Sequence, residues 1–203
     1  MDRRLTPRGR ERRRQLMAFA TRRFAENGYH PTSVAEIVQG LGVGKGVFYW
    51  YFTSKDELFL EILKEAQQDL RRAQRQALEG EQDPVRRIAQ GIRATMGWSA
   101  EHHELNKLVQ FAATEERFAP ALRRGQEVAV RDAARHVRDG VASGQIKDLD
   151  PDLLAHAILG VTTQLARVFL HERHQPADEV ADAAVTVLLE GLLVPEPAGT
   201  VAR

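Results

Sequence analysis

The chain has 203 residues, of which 43% are hydrophobic and 28% charged, and it contains no cysteine. This composition is ordinary for a globular protein, and the missing cysteines exclude disulfides and thiolate metal sites. No apolar segment follows the basic N-terminus and no run approaches the roughly 20 apolar residues that span a bilayer, so we expect neither a signal peptide nor a membrane helix.

Charge is divided unevenly along the chain. Residues 1–55 carry 11 Lys and Arg against 4 Asp and Glu, whereas residues 56–203 carry 18 against 24, so the net charges are +7 and −6. A basic segment joined to an acidic body predicts that only the first part meets a polyanion. A solvated basic helix without a partner is the alternative.

Helical patterns begin near the N-terminus, and strand-type alternation is absent, which predicts an all-α fold. The spacing of Leu16, Ala20 and Phe24 gives an apolar stripe to a first helix over residues 10–27. Gly28 follows it, as expected for a residue that ends a helix.

Two capping boxes mark the next helix starts. Ser33 and Ser54 each stand three residues before a glutamate, a pattern typical of a helix N-terminus. The glycine-rich run 40–44 between them predicts a tight turn. The four-residue spacing of Val38 and Gly42 suits close packing at that turn.

A short third helix is expected over residues 45–51, which completes a helix–turn–helix arrangement. Residues 48–52 are five consecutive aromatics, in a chain with 2 Trp, 3 Tyr and 8 Phe. Phe48 and Phe52 lie four apart, so they share one face, which we expect to be buried.

The other face of this helix is predicted to meet DNA. Tyr49 and Trp50 must point away from the buried face, together with Lys45 one turn earlier. Such a surface suits a groove lined with phosphates and bases. Tyr51 is left open, as either a core residue or a phosphate anchor.

The remaining chain predicts a series of longer helices. Their expected ranges are 54–80, 84–99, 103–114, 120–144, 150–174 and 176–194. We expect a DNA-binding domain at residues 1–53, a larger helical domain at 54–194 and a disordered tail at 195–203.

The last two helices are apolar on more than one face, with Val161 and Leu188 among their apolar residues. Helices of this kind are buried on more than one side. We expect them to form a subunit interface, and a central core helix is the alternative.

A set of motifs in residues 10–60 resembles the DNA-binding domain of the TetR/AcrR family of bacterial regulators. The motifs are Phe24-Ala25-Glu26-Asn27-Gly28-Tyr29, Thr32-Ser33-Val34, Glu36-Ile37, Leu41-Gly42-Val43, Lys45-Gly46, Phe48-Tyr49-Trp50-Tyr51-Phe52 and Ser54-Lys55-Asp56-Glu57-Leu58-Phe59. The resemblance implies a regulator whose third helix enters the major groove, and it covers about a quarter of the chain.

The resemblance also implies DNA contacts. Positions that meet base edges, phosphates or sugars in the family correspond here to Ser33, Lys45, Gly46, Val47, Tyr49, Trp50, Tyr51 and Lys55. Phosphate contacts of this type fix the register of a protein on DNA without reading sequence.

Several residues depart from the family pattern. Gly44 stands where a serine cap is common, Val47 where threonine is usual, Ala35 where arginine is frequent and Val38 where alanine is usual. Val47 can pack on a thymine methyl but cannot hydrogen-bond a base. Arg3, Arg4, Arg8, Arg10 and Arg12–Arg14 could compensate as a basic arm on DNA, or they could form a frayed terminus.

A small-molecule pocket in the larger domain is implied by the resemblance. The candidate lining residues are Met96, Trp98, His102, Leu105, Val109, Phe111, Ala112, Gln164, Leu165 and Phe169. The apolar members are equally candidates for ordinary core. Gln164 and Arg167 interrupt an apolar helix and are candidates for polar recognition; Arg167 could also lie in an interface salt bridge.

We therefore expect a cytoplasmic, homodimeric transcriptional regulator with no cofactor. It would most often be a repressor, released from a palindromic operator by a small apolar or amphipathic molecule. His102 and His103 do not form a recognisable metal motif, and no nucleophile motif or phosphate loop is present, so no enzyme activity is expected. An enzyme using the apolar cavity and a ligand-independent architectural protein are the alternatives.

Overall fold

The computed structural model describes residues 5–192, and over this range it contains α-helices, one π-helical segment and no β-strand. The helices are α1 Pro7–Asn27, α2 Val34–Gly40, α3 Lys45–Tyr51, α4 Lys55–Ala77, α5 Pro84–Glu101, α6 His103–Thr114, α7 Ala119–Ala142, α8 Pro151–Leu165, the π-helical segment Ala166–Glu172 and α9 Ala177–Leu192. The predicted all-α fold is confirmed. The predicted tail at 195–203 lies outside the described residues.

Helix α1 begins three residues before its predicted start. The Thr6 hydroxyl accepts a hydrogen bond from the Gly9 backbone N–H at 3.1 Å, and Pro7 occupies the first turn, where its missing N–H costs nothing. The arginines at 8, 10 and 12–14 therefore lie on a helix, not on an extended arm. Arg3 and Arg4 lie outside the described residues.

Both predicted capping serines bond at helix starts. Ser33 Oγ accepts from Glu36 N at 3.1 Å, and Ser54 Oγ accepts from Glu57 N at 3.1 Å. The Glu36 carboxylate, however, accepts from Arg23 Nε at 2.8 Å. The side chain of Glu36 is thus used to join α2 to α1.

The close approach near the glycine-rich turn occurs at Gly40. A Cβ added to Gly40 would lie 2.1 Å from Cζ of Phe19, so a larger residue at this position would require that ring to move. Gly42 provides a φ of 65° for the turn, and nothing lies within 4 Å of its Cβ position. The predicted close packing at Gly42 is therefore wrong, because that glycine serves the backbone conformation.

The first of two compact units contains residues 5–69 and 102–123. Its core lies between the first four helices and α6. The buried residues of this core are Leu16, Met17, Ala20, Phe24, Tyr29, Ile37, Val38, Phe48, Phe52, Leu58, Phe59, Ile62, Leu63, Leu108, Ala112 and Phe118. Helix α6 thus belongs to the same unit as the helix–turn–helix. The predicted domain boundary between residues 53 and 54 stays a prediction.

The second compact unit contains residues 70–101 and 124–192. Helix α5 packs along α9, and the core buries Ile88, Ala89, Ile92, Met96, Val137, Ile146, Leu154, Ile158, Ala166, Leu170, Val180, Ala181, Ala184, Leu188 and Leu189. Apolar faces of α5, α8 and α9 therefore share one core.

Helix α8 passes directly into the π-helical segment. At the end of this segment, Arg173 N donates to Val168 O at 3.0 Å. Together they form a helix over Pro151–Glu172 that is long and apolar enough to cross a membrane by length and composition alone. This differs from the sequence expectation. Leu154, Ile158 and Leu170 of this helix lie in the second unit's core, as in a core helix of a globular protein.

Candidate nucleic-acid interface

Helix α3 is held in the first unit by two aromatic side chains. Phe48 is 0% exposed and Phe52 is 1% exposed, and their ring centroids are 5.7 Å apart. The predicted burial of this face is confirmed. Burial of two phenylalanines stabilises the position of a seven-residue helix that would be marginal alone.

The opposite face of α3 is open to solvent. Tyr49 is 56% exposed and Trp50 is 51% exposed, so two neighbouring large rings face solvent. Lys45 and Gly46 are also exposed, and no atom lies within 4 Å of a Cβ built on Gly46. The predicted outward face is therefore present. It carries two aromatic rings and one cation, and it has no side chain at Gly46.

The start of α3 has no side-chain cap. Gly44 is the N-cap residue, and it offers no group to bond the first backbone N–H groups. Val47, in the first turn, is half-buried. The expected loss of the cap at Gly44 is confirmed.

Tyr51 lies between the two faces. Its side chain packs partly against the first unit's core, and its ring centroid is 4.6 Å from that of Trp50. The Tyr51 hydroxyl is 3.6 Å from a Cβ built on Gly9, so the start of α1 is beside the end of α3. Tyr51 therefore contributes to packing and retains a partly exposed edge.

The Lys55 ammonium is surrounded by backbone carbonyls. Nζ donates to Tyr29 O at 2.8 Å, to Thr32 O at 2.9 Å and to His30 O at 3.3 Å. It also lies 4.3 Å from the centroid of the Tyr29 ring. Burial lowers the pKa of this lysine. The structure thus places the Lys55 ammonium, from the start of α4, against the loop between α1 and α2, whereas Ser33 is exposed at the start of α2.

Arg13, on α1, forms ion pairs with another helix of the first unit. Arg13 pairs with Glu61 at 2.6 Å and also with Glu65, both on α4, and lies 5.3 Å from the Phe52 ring. Arg13 therefore braces α1 against α4, which sequence reasoning missed. Arg13 is far from Glu61 and Glu65 in the sequence, so no local pattern predicts these ion pairs.

A second network joins α6 to the α1–α2 loop and α4. Arg117, just after α6, pairs with Asp56 at 3.3 Å and Glu115 at 3.0 Å, and lies 5.1 Å from the Tyr29 ring. The Tyr29 hydroxyl donates to Asp56. Burial and then this hydrogen bond raise the pKa of Tyr29 above its usual range. These long-range pairs were not predicted.

The predicted effector residues fall into both compact units. Met96, Trp98, Gln164, Leu165, Arg167 and Phe169 belong to the second unit, and His102, Leu105, Val109, Phe111 and Ala112 belong to the first. Phe111 packs on Tyr29 with ring centroids 5.2 Å apart. Their role as a pocket stays a prediction.

Gln164 and Arg167, the predicted polar recognition pair, lie on the surface of the second unit. Arg167 Nε donates to Gln164 Oε1 at 3.4 Å, and Arg167 Nη1 pairs with Glu172 at 2.5 Å. Both partners lie on the same continuous helix. The structure therefore brings the pair together but leaves it exposed.

Comparison with known proteins covers both units. Residues 16–62 match the model for bacterial regulatory proteins of the tetR family, and residues 81–192 match the model for the tetracyclin repressor-like C-terminal domain. The chain is 26% identical over 187 residues to the HTH-type transcriptional repressor KstR2 of Mycobacterium tuberculosis, covering 89% of this chain and 92% of that protein.

Two further relatives differ in how much of the chain they cover. The HTH-type transcriptional activator FasR of Mycolicibacterium smegmatis is 38% identical over 84 residues, covering 41% of this chain and 38% of that protein. The solved structure of the fatty acid degradation regulator FadR from Bacillus halodurans aligns with a TM-score of 0.82 at 18% identity, covering 93% of this chain and 98% of that chain. The last similarity concerns the fold alone.

Proposed function

The chain belongs to the tetR family of bacterial regulatory proteins, and we propose that it is a cytoplasmic, homodimeric repressor released from a palindromic operator by a small molecule. That it is a DNA-binding transcriptional regulator and not an enzyme follows from the family. The repressor assignment, operator symmetry and effector response are the proposal. KstR2, similar over most of its length, is a repressor, which supports this direction.

The exposed ring face of α3 is the observation that carries the proposal. Tyr49 and Trp50 remain half exposed, although Phe48 in the same short helix and Phe52 directly after it are fully buried. Exposing large rings on a rigid helix costs free energy unless they meet a partner. Lys45 adds a phosphate-binding charge beside them.

Operator reading is proposed to depend on shape and methyl contacts. Val47 presents only methyl groups, which suit thymine, and Gly46 allows the backbone to approach the groove closely. Tyr49, Trp50 and Lys45 are proposed to hold sugars and phosphates. Ser33, Tyr51 and Lys55 complete the proposed contact set, with Lys55 also serving the loop described above.

The proposed dimer uses the outer faces of α8 and α9. Leu153 is 61% exposed and Val187 is 66% exposed, whereas Leu188 is 7% exposed and belongs to the unit's own core. An isologous interface would bury both exposed residues. Two recognition helices roughly 34–36 Å apart would then reach successive major grooves.

Effector release is proposed to act through α4. This helix starts four residues after α3 and runs from the first unit into the second. An apolar or amphipathic molecule that binds the second unit more tightly in one state would change the DNA affinity. Activation is the second candidate, because FasR, 38% identical to this chain over 84 residues, is a transcriptional activator.

The direct test is selection of DNA sites from a random duplex library, followed by footprinting. We expect one enriched sequence with two-fold symmetry and half-sites one helical turn apart or a multiple of it. Enrichment without symmetry would contradict the palindromic operator. Binding of all duplexes with similar affinity would favour an architectural protein instead.

A further inference from the structure

Three side-chain atoms of the second unit are shielded from solvent and have no hydrogen-bond partner. They are Arg87 Nε, Gln90 Oε1 and His136 Nδ1. Arg87 and Gln90 are three residues apart on α5, so they share a face, and His136 lies on α7. A shielded polar atom without a partner destabilises a protein, and native cores contain few of them.

The cation and the imidazole act on each other. Burial, and then the charge of Arg87, lower the pKa of His136, so the imidazole is neutral at physiological pH. Arg135 acts in the same direction, while Asp132 and Asp139 oppose it. Arg87 is therefore the fixed positive charge of this group.

We propose that Arg87, Gln90 and His136 form a subsite for the carboxylate of an organic acid effector. The Arg87 Nε–H group is a donor that matches a carboxylate oxygen, and a planar guanidinium bonds a carboxylate in a bidentate arrangement. A carboxylate only accepts hydrogen bonds, so the Gln90 amide must turn its NH2 group, and not Oε1, toward the second oxygen, and neutral His136 must carry its proton on Nδ1.

The subsite also gives a reason for an effector response. This inference rests on the proposed function and names the effector's chemical class. Because the three atoms are shielded from solvent in this conformation, an acid can reach them only when the second unit rearranges, and its binding then favours the rearranged state. A ligand shifts a conformational equilibrium only through such a difference in affinity. Ile88 and Val137, next to two of these residues in sequence, lie in the core, which suits an acid with an apolar body.

The test uses three compounds with one apolar body: 4-phenylbutyrate, 4-phenylbutanol and 4-phenylbutylamine. Binding to the full chain is measured by calorimetry. We expect the carboxylate to bind about tenfold more tightly than the alcohol, the gain of one charge-assisted hydrogen bond, and the amine to bind most weakly. Arg87→Met removes the donor at similar length, and Arg86→Met, at an exposed neighbour, is the control.

Arg87→Met should lose the carboxylate preference, keep the affinity for the alcohol, and melt at the same temperature as the ligand-free wild type or about 3 °C higher. Equal affinities in the wild type, no carboxylate binding, or a preference that Arg87→Met retains would overturn the inference. A lower melting temperature of Arg87→Met would also overturn it, because the guanidinium would then have a structural partner. Operator binding by the wild type is measured in parallel. If the wild type binds no operator, the proposed function is contradicted. If it binds an operator but shows no carboxylate preference, only the subsite is contradicted.

Discussion

Nζ of Lys55 lies 2.8 Å from the carbonyl oxygen of Tyr29 and donates a hydrogen bond to it. The same ammonium bonds the Thr32 carbonyl at 2.9 Å, so one cation ties the start of α4 to the loop after α1. Helix α3 ends four residues before Lys55. We therefore expect Lys55 to hold the recognition helix in place, and to attract phosphates less than the exposed Lys45 does.

Two matched substitutions separate these roles. Lys55→Met keeps the aliphatic stem but removes the ammonium that donates to the loop carbonyls. It should therefore cost about 1 kcal/mol of unfolding free energy, or a few degrees in Tm. Lys45→Met should leave Tm unchanged and reduce the slope of log affinity against log salt by about 1. Thermal unfolding and DNA binding at several salt concentrations measure both.

The opposite pattern would contradict this division. If Lys55→Met kept its Tm and lowered the salt slope by about 1, the ammonium would belong to DNA and not to the loop.

The buried Tyr29 hydroxyl predicts a pH dependence of stability. Its pKa is raised in the folded protein by burial and by the bond to Asp56, so the folded state keeps the proton that an unfolded tyrosine releases near about pH 10. The stabilisation is complete below that pH and is lost as pH rises above it. Tyr29→Phe should unfold about 1–2 kcal/mol more easily at pH 7, and its deficit should shrink above about pH 10. Chemical denaturation at both pH values checks this, and a constant deficit would show that the hydroxyl does not titrate as described.

Two glycines should respond in opposite ways to alanine. Gly40→Ala places a Cβ 2.1 Å from the Phe19 ring, so the ring must move, and we expect a loss of about 1–3 kcal/mol. Gly46→Ala meets no atom within 4 Å and should stabilise α3 by about 0.5–1 kcal/mol while weakening DNA binding. Denaturation midpoints and operator affinity test the pair. Unchanged operator affinity for Gly46→Ala would argue against a close backbone approach.

The dimer prediction needs residues that are exposed in the single chain. Val187→Glu and Leu153→Glu should give folded monomers in light scattering, because each places a charge in the proposed interface. Val109→Glu, at a residue 40% exposed in the first unit, should leave the dimer intact. Dimers that persist in both α8 and α9 variants would contradict the proposed interface. Leu188→Glu is unsuitable, since Leu188 is buried in its own unit and its loss would unfold the protein.

Local signals in the sequence were sufficient for the elements. The bounds of α3 and α6 agree with their predicted ranges, and the alternation of buried Phe48 with exposed Tyr49 follows from helical geometry. Helix α1 starts earlier than its apolar stripe predicts, because Thr6 and Pro7 form a start signal outside that stripe. That signal is local and could have been found.

Long-range partners could not be read in the same way. Nothing near Arg13 in sequence indicates Glu61, and nothing near Lys55 indicates that its partners are carbonyls 23 to 26 residues away. The buried group at Arg87 and His136 was missed for the same reason, because hydrophobic periodicity places polar residues on the surface by default. Gln164 and Arg167 are predicted as recognition residues because they are polar residues in an apolar helix, but both side chains are exposed.

The most direct measurement for the proposed function is the operator affinity of the variant with both Tyr49→Ala and Trp50→Ala, compared with its thermal stability. The two rings are half exposed, so we expect Tm to stay within about 2 °C of the wild type while operator affinity falls by roughly 10- to 100-fold. Phe48→Ala, which empties a fully buried site, should instead lose about 3–5 kcal/mol of stability. Wild-type operator affinity in the double variant would contradict the assignment of the exposed ring face of α3 to DNA.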